Sequence, residues 1–114
     1  MSYECFELEV ANGIAHIRLN RPEKANSMIP SFWTELPAAV NTLSRDASAR
    51  VLIISAEGKH FSSGMDISVF TDGGLDGPAG TNPSIGAEAF RHHCMALQSA
   101  FTCLEEARMP VLVA

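Results

Sequence analysis

Residues 51–66 read VLIISAEGKHFSSGMD, and the pattern of this stretch is the clearest indication of the fold class. Its first part, residues 51–55, is a continuous apolar run with β-branched members, which predicts a strand buried on both faces, as in a parallel sheet. The loop behind it contains Ser62, Ser63 and Gly64, which are small enough for a ligand to approach the backbone closely. Ligands of α/β sheets bind beyond the carboxyl ends of the strands. The stretch therefore predicts an α/β protein with a candidate site in this loop.

The same loop brings backbone N–H groups to a place where a helix can begin. If a short helix starts at Asp66 or Ile67, the N–H groups of Gly64, Met65 and Asp66 lie at its N-terminus, where such donors stabilise negative charge that develops on an oxygen. We expect the Asp66 side chain to cap that helix and not to act as a catalytic base. Many turns of this composition have no chemical role, so the residues alone leave both interpretations open.

Strands and a helix are predicted before this stretch. Two alternating runs, residues 4–10 and 14–19, flank Asn12-Gly13 and predict a β-hairpin with one solvated face. Residues 30–45 have apolar side chains at spacings of three and four, which predict a helix. Pro37 lies inside that helix and lacks a backbone donor, so we expect a distortion there.

A long helix is predicted after the stretch. A short helical piece near 67–70 leads into residues 71–83, where Gly, Pro and Asp predict a mobile loop without the register of a dinucleotide-binding fingerprint. Residues 84–107 predict an amphipathic helix, and residues 111–114 predict another buried strand. The apolar stripe of the helix, which we expect in the core or at a subunit interface, is Phe90, Cys94, Leu97, Phe101 and Leu104. A buried strand that stops without a turn indicates the front part of a longer protein.

Composition and charge restrict the classes of function. The chain has 114 residues, of which 46% are apolar and 18% charged, so it fits a single globular unit. Its net charge of −5 and scattered cations argue against nucleic-acid binding. We find neither a secretory signal nor an apolar run near the ~20 residues of a membrane helix. The odd number of cysteines, without a Cys-x-x-Cys pair, fits a reducing compartment. We therefore expect a cytoplasmic protein with no metal site and no membrane or nucleic-acid partner.

Three ordered segments resemble the crotonase (enoyl-CoA hydratase/isomerase) superfamily. Residues 19–28, LNRPEKANSM, are similar to the loop after its first hairpin. Residues 58–67, GKHFSSGMDI, resemble its signature loop, G-x-x-F-(S/A)-(A/S)-G-x-D-(L/I), and residues 109–114, MPVLVA, resemble the start of its next strand. Within the superfamily, the dienoyl-CoA isomerases (Δ3,5 to Δ2,4) are resembled by FWTEL at 32–36, SSGMDI at 62–67 and the long helix that ends in FTCLEEARMP. The resemblance implies an α/β, crotonase-like (ClpP/crotonase) spiral of ββα units, of which residues 1–114 are the N-terminal portion.

The resemblance also implies a site. In the family, the thioester carbonyl of an acyl-CoA lies between two backbone N–H donors, which together form an oxyanion hole. The first belongs to the residue after the signature glycine, and this maps to Met65 after Gly64. The second comes from a turn that we expect beyond residue 114. The positions implied to bind substrate or CoA are Lys24, Ala25, Met28, Ser63, Met65, Asp66 and Ile67, with Lys24 as a phosphate partner.

The resemblance implies an acyl-CoA enzyme that stabilises a thioester enolate and isomerises double bonds of dienoyl-CoA in fatty acid oxidation. No cofactor is expected, since coenzyme A is part of the substrate. The acid–base carboxylates of the family lie beyond residue 114, so we expect these residues alone to be inactive. A homotrimer or hexamer is expected. The alternatives are an enoyl-CoA hydratase and a non-catalytic acyl-CoA-binding or oligomerising module.

Overall fold

One four-stranded sheet and two long helices make up the part of the chain that the computed structural model describes, residues 3–66 and 83–114. The elements in chain order are β1 (Phe6–Ala11), β2 (Ile14–Leu19), a 3-10 helix (Pro22–Lys24), α1 (Phe32–Asp46), β3 (Val51–Ala56), α2 (Pro83–Glu106) and β4 (Val111–Val113). The predicted helical piece at 67–70 and nearly all of the predicted glycine-rich loop lie outside the described residues.

The predicted hairpin is confirmed. β1 and β2 pair antiparallel, and Ala11 lies opposite Ile14 at the closed end. Asn12 and Gly13 both have positive φ, 54° and 78°, as a two-residue hairpin turn of the mirror-image type requires. The side chains of β2 alternate between the core and the other face of the sheet. Those that face the core are Ala15, Ile17 and Leu19.

β3 lies inside the sheet, parallel to β2 on one side and to β4 on the other. The prediction of a strand buried on both faces is wrong in one respect. Leu52 and Ile54 are buried under the helices, whereas Val51 and Ile53 on the opposite face are only half-buried. That opposite face also carries polar side chains, and the Nε2 of His16 lies 2.6 Å from the Ser55 hydroxyl there. The local hydrophobicity of residues 51–55 predicted the strand correctly, but it did not predict that the second face of the strand is partly exposed.

α1 packs on the sheet through the predicted stripe. Its buried side chains are Phe32, Trp33, Leu36, Ala39, Val40 and Leu43. The helix continues through Pro37 to Asp46, so the missing backbone donor does not end it. Ala47 follows in the left-handed conformation, with φ 57°, which terminates the helix. The predicted helix at 30–45 is therefore confirmed to within two residues at its start and one at its end.

α2 exists as predicted, but only part of its predicted stripe faces the core, where Leu97 and Leu104 are partly buried. Ala100 and Cys103 are buried, whereas Phe90 and Phe101 of the predicted stripe are 42% and 44% exposed. Small side chains let α2 approach closely, and larger ones stay at the rim, where Phe101 still lies 6.0 Å from Phe32 between ring centroids. A subunit interface on the exposed part stays a prediction. Like the other helices of the described residues, α2 is not apolar enough to cross a membrane.

β4 forms the edge of the sheet within the described residues. It pairs with β3 alone, from Leu52 opposite Val111 to Ile54 opposite Val113. The prediction of a buried strand is wrong for the residues after Val111, since Leu112 and Val113 are 56% and 64% exposed. An edge strand has a neighbour on only one side, so its side chains lack the second row of contacts that an inner strand receives.

The three cysteines differ in burial, and this predicts their order of reaction. Cys5 is 5% exposed, and burial, followed by the nearby Glu35 carboxylate, raises the pKa of its thiol to about 12. Burial also raises the pKa of Cys103. Because the thiolate is the nucleophile, we expect iodoacetamide at pH 8 to modify Cys94, which is more exposed, before either of them. Peptide mass spectrometry measures the order, and urea should abolish it. Equal native rates at Cys5 and Cys94 would contradict the burial.

Candidate active site

Two loops meet beyond the carboxyl ends of β2 and β3. The β2–α1 loop spans residues 20–31, and the β3 loop spans residues 57–66 as far as the structure describes it. The Glu57 N–H donates to the Leu19 carbonyl at 2.9 Å. The two segments that follow β2 and β3 therefore separate only after this bond. Two of the three segments that resemble the crotonase superfamily, residues 19–28 and the described part of 58–67, thus lie side by side at the carboxyl ends of parallel strands, where ligands bind.

Asn26 holds the two loops together from the inside. It is 3% exposed and is a buried polar residue among the described ones. Its Oδ1 accepts from the Arg21 N–H at 2.8 Å, while its Nδ2 donates to the carbonyls of Glu57 and His60 at 2.8 and 2.9 Å. Its own carbonyl accepts from the Ser62 hydroxyl at 2.9 Å. Sequence reasoning gave Asn26 no role, although an Asn in a tight loop is a common sign of left-handed backbone, and its φ is 53°.

An isolated parallel bridge between Met28 and Met65 fixes the backbone at the candidate donor. The Met28 N–H donates to the Gly64 carbonyl at 2.8 Å, and the Asp66 N–H donates to the Met28 carbonyl at 2.8 Å. Successive amides of an extended segment point to opposite sides. The N–H of Met65, between these two, therefore points away from Met28, and no acceptor within the described residues pairs with it.

Of the donors predicted in this loop, Met65 alone keeps its N–H unpaired within the described residues. The N–H of Gly64 donates to the Ser62 hydroxyl at 3.2 Å. The N–H of Asp66 is used in the bridge to Met28. Within the described residues, one of these three adjacent N–H groups therefore remains available to a ligand. The N–H of Gly64 is used inside the β3 loop, and that of Asp66 is used in the pairing with the β2–α1 loop, which local sequence does not reveal.

Gly64 gives that donor its conformation and its access. Its φ is 98°, in the region that favours glycine, and a Cβ added there would meet no heavy atom of the described residues within 4 Å. Residues 3–66 and 83–114 thus leave the space at Gly64 open. Gly58, at the start of the same loop, has a similar φ of 88°, but a Cβ there would lie 2.7 Å from the Cβ of Pro22.

These two glycines predict an order of destabilisation. We expect Gly64→Ala to lower the free energy of unfolding by about 1–2 kcal/mol through backbone strain alone. Gly58→Ala adds a steric clash with Pro22 to the same strain, so its effect should be larger. Urea denaturation of the two variants measures the difference. An equal or reversed order would show that the β2–α1 loop yields to the added methyl group.

The Asp66 carboxylate ties the β3 loop to the β2–α1 loop. Its Oδ2 accepts from the Ser27 hydroxyl at 2.7 Å and lies 3.7 Å from Nη2 of Arg21. Nη1 of Arg21 donates to the Ser27 carbonyl at 3.2 Å. These contacts agree with a structural role for the side chain. Its predicted capping of a helix concerns residues outside the described ones and stays a prediction.

The remaining predicted site residues take different places. Ala25 is half-buried in the left-handed conformation, and its carbonyl accepts from the Ser63 N–H at 3.0 Å. Lys24 is exposed at the end of the 3-10 helix, and its side chain forms no ion pair with a described residue. Ile67 lies outside the described residues. The structure thus joins five predicted residues by hydrogen bonds across the loops: Ala25, Met28, Ser63, Gly64 and Asp66. Met65 lies between two of them in the bridge and makes none of these bonds itself.

An apolar cavity lies beside the bridge. Its volume is approximately 190 Å³, and the side chains around it come from the sheet, α1, α2 and the two loops. The lining residues are Leu19, Met28, Phe32, Leu36, Ile54, Phe61, Phe101, Leu104 and Val113. Met28 both lines this cavity and pairs with Met65, so the cavity lies beside the bridge that holds the residue with the unpaired donor.

No set of metal ligands is gathered near these loops or elsewhere in the described residues. Their His, Cys, Asp and Glu side chains form no group of three that could hold a metal ion. On α2, His92 instead lies 3.0 Å from the Glu88 carboxylate, one helical turn away. The expected absence of a metal stays a prediction for the chain as a whole.

Comparison with known proteins identifies the family. The family model described as enoyl-CoA hydratase/isomerase matches residues 9–99. The peroxisomal Delta(3,5)-Delta(2,4)-dienoyl-CoA isomerase of Arabidopsis thaliana is 30% identical over 116 residues, covering 99% of this chain and 42% of that protein. The mitochondrial enzyme of that name from Mus musculus is 33% identical over 114 residues, covering 99% and 35%. The chain thus spans about two fifths of the length of these relatives.

Solved structures agree with the fold. An enoyl-CoA hydratase/isomerase from Xanthobacter autotrophicus superposes with a TM-score of 0.80 at 25% identity, covering 99% of this chain and 39% of that one. AtuE of Pseudomonas aeruginosa gives 0.78 at 28% identity, covering 96% and 39%. The predicted fold class, the N-terminal portion of a crotonase-like α/β fold, is confirmed. The chain belongs to the enoyl-CoA hydratase/isomerase family.

Proposed function

We propose that the whole protein is an acyl-CoA enzyme in which the Met65 N–H donates a hydrogen bond to the thioester carbonyl. One observation carries this proposal: the bridge to Met28 directs the Met65 N–H outward, with no acceptor among the described residues. A fixed donor stabilises an oxygen as negative charge develops on it, because the donor does not have to reorient during the reaction. A second donor is expected from residues beyond Ala114.

The two parts of an acyl-CoA, the acyl chain and the CoA portion, fit different surroundings of this donor. The apolar cavity beside Met28 accepts the acyl chain, since burying each CH₂ group there contributes about 0.8 kcal/mol. The CoA portion runs along the two loops, beside Ala25, Ser63, Asp66 and Ile67. Lys24, exposed and without an ion pair among the described residues, reaches a phosphate group of CoA. We place the thioester beside Gly64, where a Cβ would meet no atom of the described residues within 4 Å.

The reaction that we propose is the isomerisation of a 3,5-dienoyl-CoA to a 2,4-dienoyl-CoA, after the names of the relatives in Arabidopsis and mouse. A base removes a proton from C2, and the electron pair delocalises onto the thioester oxygen and along the chain. An acid then returns a proton to C6, which leaves the double bonds at C2 and C4. Both steps need groups of suitable pKa. Asp66 is occupied by Ser27 and Arg21, so we place the acid and base beyond residue 114.

Assays of the whole protein test this function. A 3,5-dienoyl-CoA should be converted to the conjugated 2,4-isomer, which is followed by the rise in near-ultraviolet absorbance. In deuterated water the product should carry one deuterium at C6. Residues 1–114 alone should show no turnover. Failure of the whole protein to act on any unsaturated acyl-CoA would rule the proposal out.

Hydration of an enoyl-CoA is the second candidate, and one observation favours it. The hydroxycinnamoyl-CoA hydratase-lyase of Pseudomonas fluorescens is 35% identical over 68 residues, or 60% of this chain. Hydration uses the same donor but adds a proton at C2 and a hydroxyl at C3, so loss of enoyl-thioester absorbance distinguishes the two reactions. Binding of acyl-CoA without either reaction would instead support the non-catalytic module.

The cellular location and the assembly of the protein both stay predictions from its sequence. The Arabidopsis and mouse relatives are named as peroxisomal and mitochondrial, so the cytoplasmic location stays a prediction. A homotrimer or hexamer also stays a prediction. The exposed aromatic side chains of α2, Phe90 and Phe101, are available for such contacts. Analytical ultracentrifugation of the whole protein measures its assembly.

A further inference from the structure

An acidic residue, Asp66, follows directly after the residue that carries the donor on which the proposed function depends. The Cα atoms of consecutive residues are about 3.8 Å apart. The Asp66 N–H takes part in the bridge that orients Met65, so the acidic residue cannot move away while the bridge exists. A carboxylate near an oxygen that gains negative charge raises the energy of that state, since the repulsion grows as separation and dielectric fall. The site therefore needs a compensating positive charge.

Arg21 supplies a positive charge at a fixed place. Its Nη2 lies 3.7 Å from the Asp66 carboxylate, and the two side chains are only 19% and 22% exposed, so solvent and salt screen them less than a surface pair. Its Nη1 donates to the Ser27 carbonyl at 3.2 Å, which orients the planar guanidinium. Its backbone N–H donates to the buried Asn26. Both ends of the arginine are thus held.

We propose that Arg21 is a positioning residue whose guanidinium neutralises Asp66, so that the Asp66 charge does not oppose the negative charge on the thioester oxygen at Met65. This inference rests on the proposed function of the Met65 N–H. It differs from a purely structural tie between the loops, because it concerns a charge and not only a contact. Removing the charge of Asp66 as well should therefore restore part of the kcat that is lost when Arg21 is replaced.

Three variants of the whole protein test the role of the charge. Arg21→Gln should lower kcat for a 3,5-dienoyl-CoA by about tenfold or more. The double variant R21Q/D66N should recover at least half of that loss on a logarithmic scale, although the contact between the loops remains broken. Arg108→Gln is the matched control. It removes two hydrogen bonds, to the carbonyls of Ser44 and Ala49 at the other end of the sheet, so it should lower stability and leave kcat within about twofold.

A spectroscopic measurement separates charge from stability. The carbonyl of a bound, saturated acyl-CoA with a ¹³C-labelled thioester vibrates at lower frequency the more strongly it is polarised. We expect this infrared frequency to rise in R21Q relative to the parent and to fall again in R21Q/D66N. A change that only loosened the loops would not reverse when a second side chain is altered.

The possible results separate the inference from the proposed function. A parent that binds no acyl-CoA would overturn both. A parent that binds and turns over acyl-CoA, with R21Q unchanged in kcat and carbonyl frequency, would overturn the role of Arg21 alone. The same holds if R21Q/D66N is no more active than R21Q, since the loss would then come from the broken contact.

Discussion

Met65→Pro is expected to lower the kcat of the whole protein by about 10²–10³-fold, because proline has no backbone N–H to donate to the thioester oxygen. The bridge to Met28 uses the Gly64 carbonyl and the Asp66 N–H, so the substitution removes no hydrogen bond from it. Gly64, which precedes the new proline, tolerates the restriction that proline places on its predecessor. Steady-state assays with a dienoyl-CoA give kcat and KM.

Met65→Ala is the matched comparison for this prediction. It removes the same side chain but keeps the N–H, and Met65 is 37% exposed, so little packing is lost. We expect kcat within about fivefold of the parent, since surface truncations have small effects. If the two substitutions reduced kcat equally in folded protein, the methionine side chain and not the donor would be responsible. A fully active M65P would show that the N–H has no role.

Asn26→Ala is expected to give the largest loss of stability at the site, about 2–4 kcal/mol. The substitution leaves the Arg21 N–H and the carbonyls of Glu57 and His60 without the partners that the side chain now provides. Unpaired groups in a partly buried place each cost about 1–3 kcal/mol, offset where water can enter. Urea denaturation of the whole protein measures the change in the free energy of unfolding.

Asn12→Ala isolates the backbone part of that effect. Asn12 has φ 54°, nearly the same as Asn26 at 53°, but it is exposed at the hairpin turn. Its replacement should therefore cost only about 1 kcal/mol, the penalty of a left-handed alanine. The difference between the two variants reports the hydrogen bonds of Asn26. A difference near zero would mean that water replaces those bonds fully.

Local pattern predicted most of the elements. The Asn12-Gly13 turn and the alternation around it determine the hairpin, because both depend on residues next to each other in the chain. The spacing of Trp33, Leu36 and Val40 determines which side of α1 is buried. The position of the candidate donor at Met65 came from family resemblance, since a glycine in a loop is too common a feature to identify a donor.

The contacts that local pattern missed join residues far apart in the chain. The bonds of Asn26 to Glu57 and His60 span 31 and 34 residues. The bridge from Met28 decides which N–H in the β3 loop stays free, and no spacing within that loop contains this information. For α2, periodicity identified the apolar side chains but not which of them are covered. The small residues Ala100 and Cys103 allow the close approach and so occupy the contact.

Because of the bridge at Met28, the site is sensitive to the number of residues in the β3 loop and tolerant of changes in their side chains. Inward and outward amides alternate, so the outward position is set by the count of residues between the two bonds to Met28. Many side chains at position 65 would leave that count intact. An insertion or deletion of one residue beside Gly64 would exchange the inward and outward amides and aim a different N–H at the ligand. Such a change could inactivate the protein while its sheet and helices remain folded, so alignment gaps within 57–66 are more informative about lost activity than substitutions there.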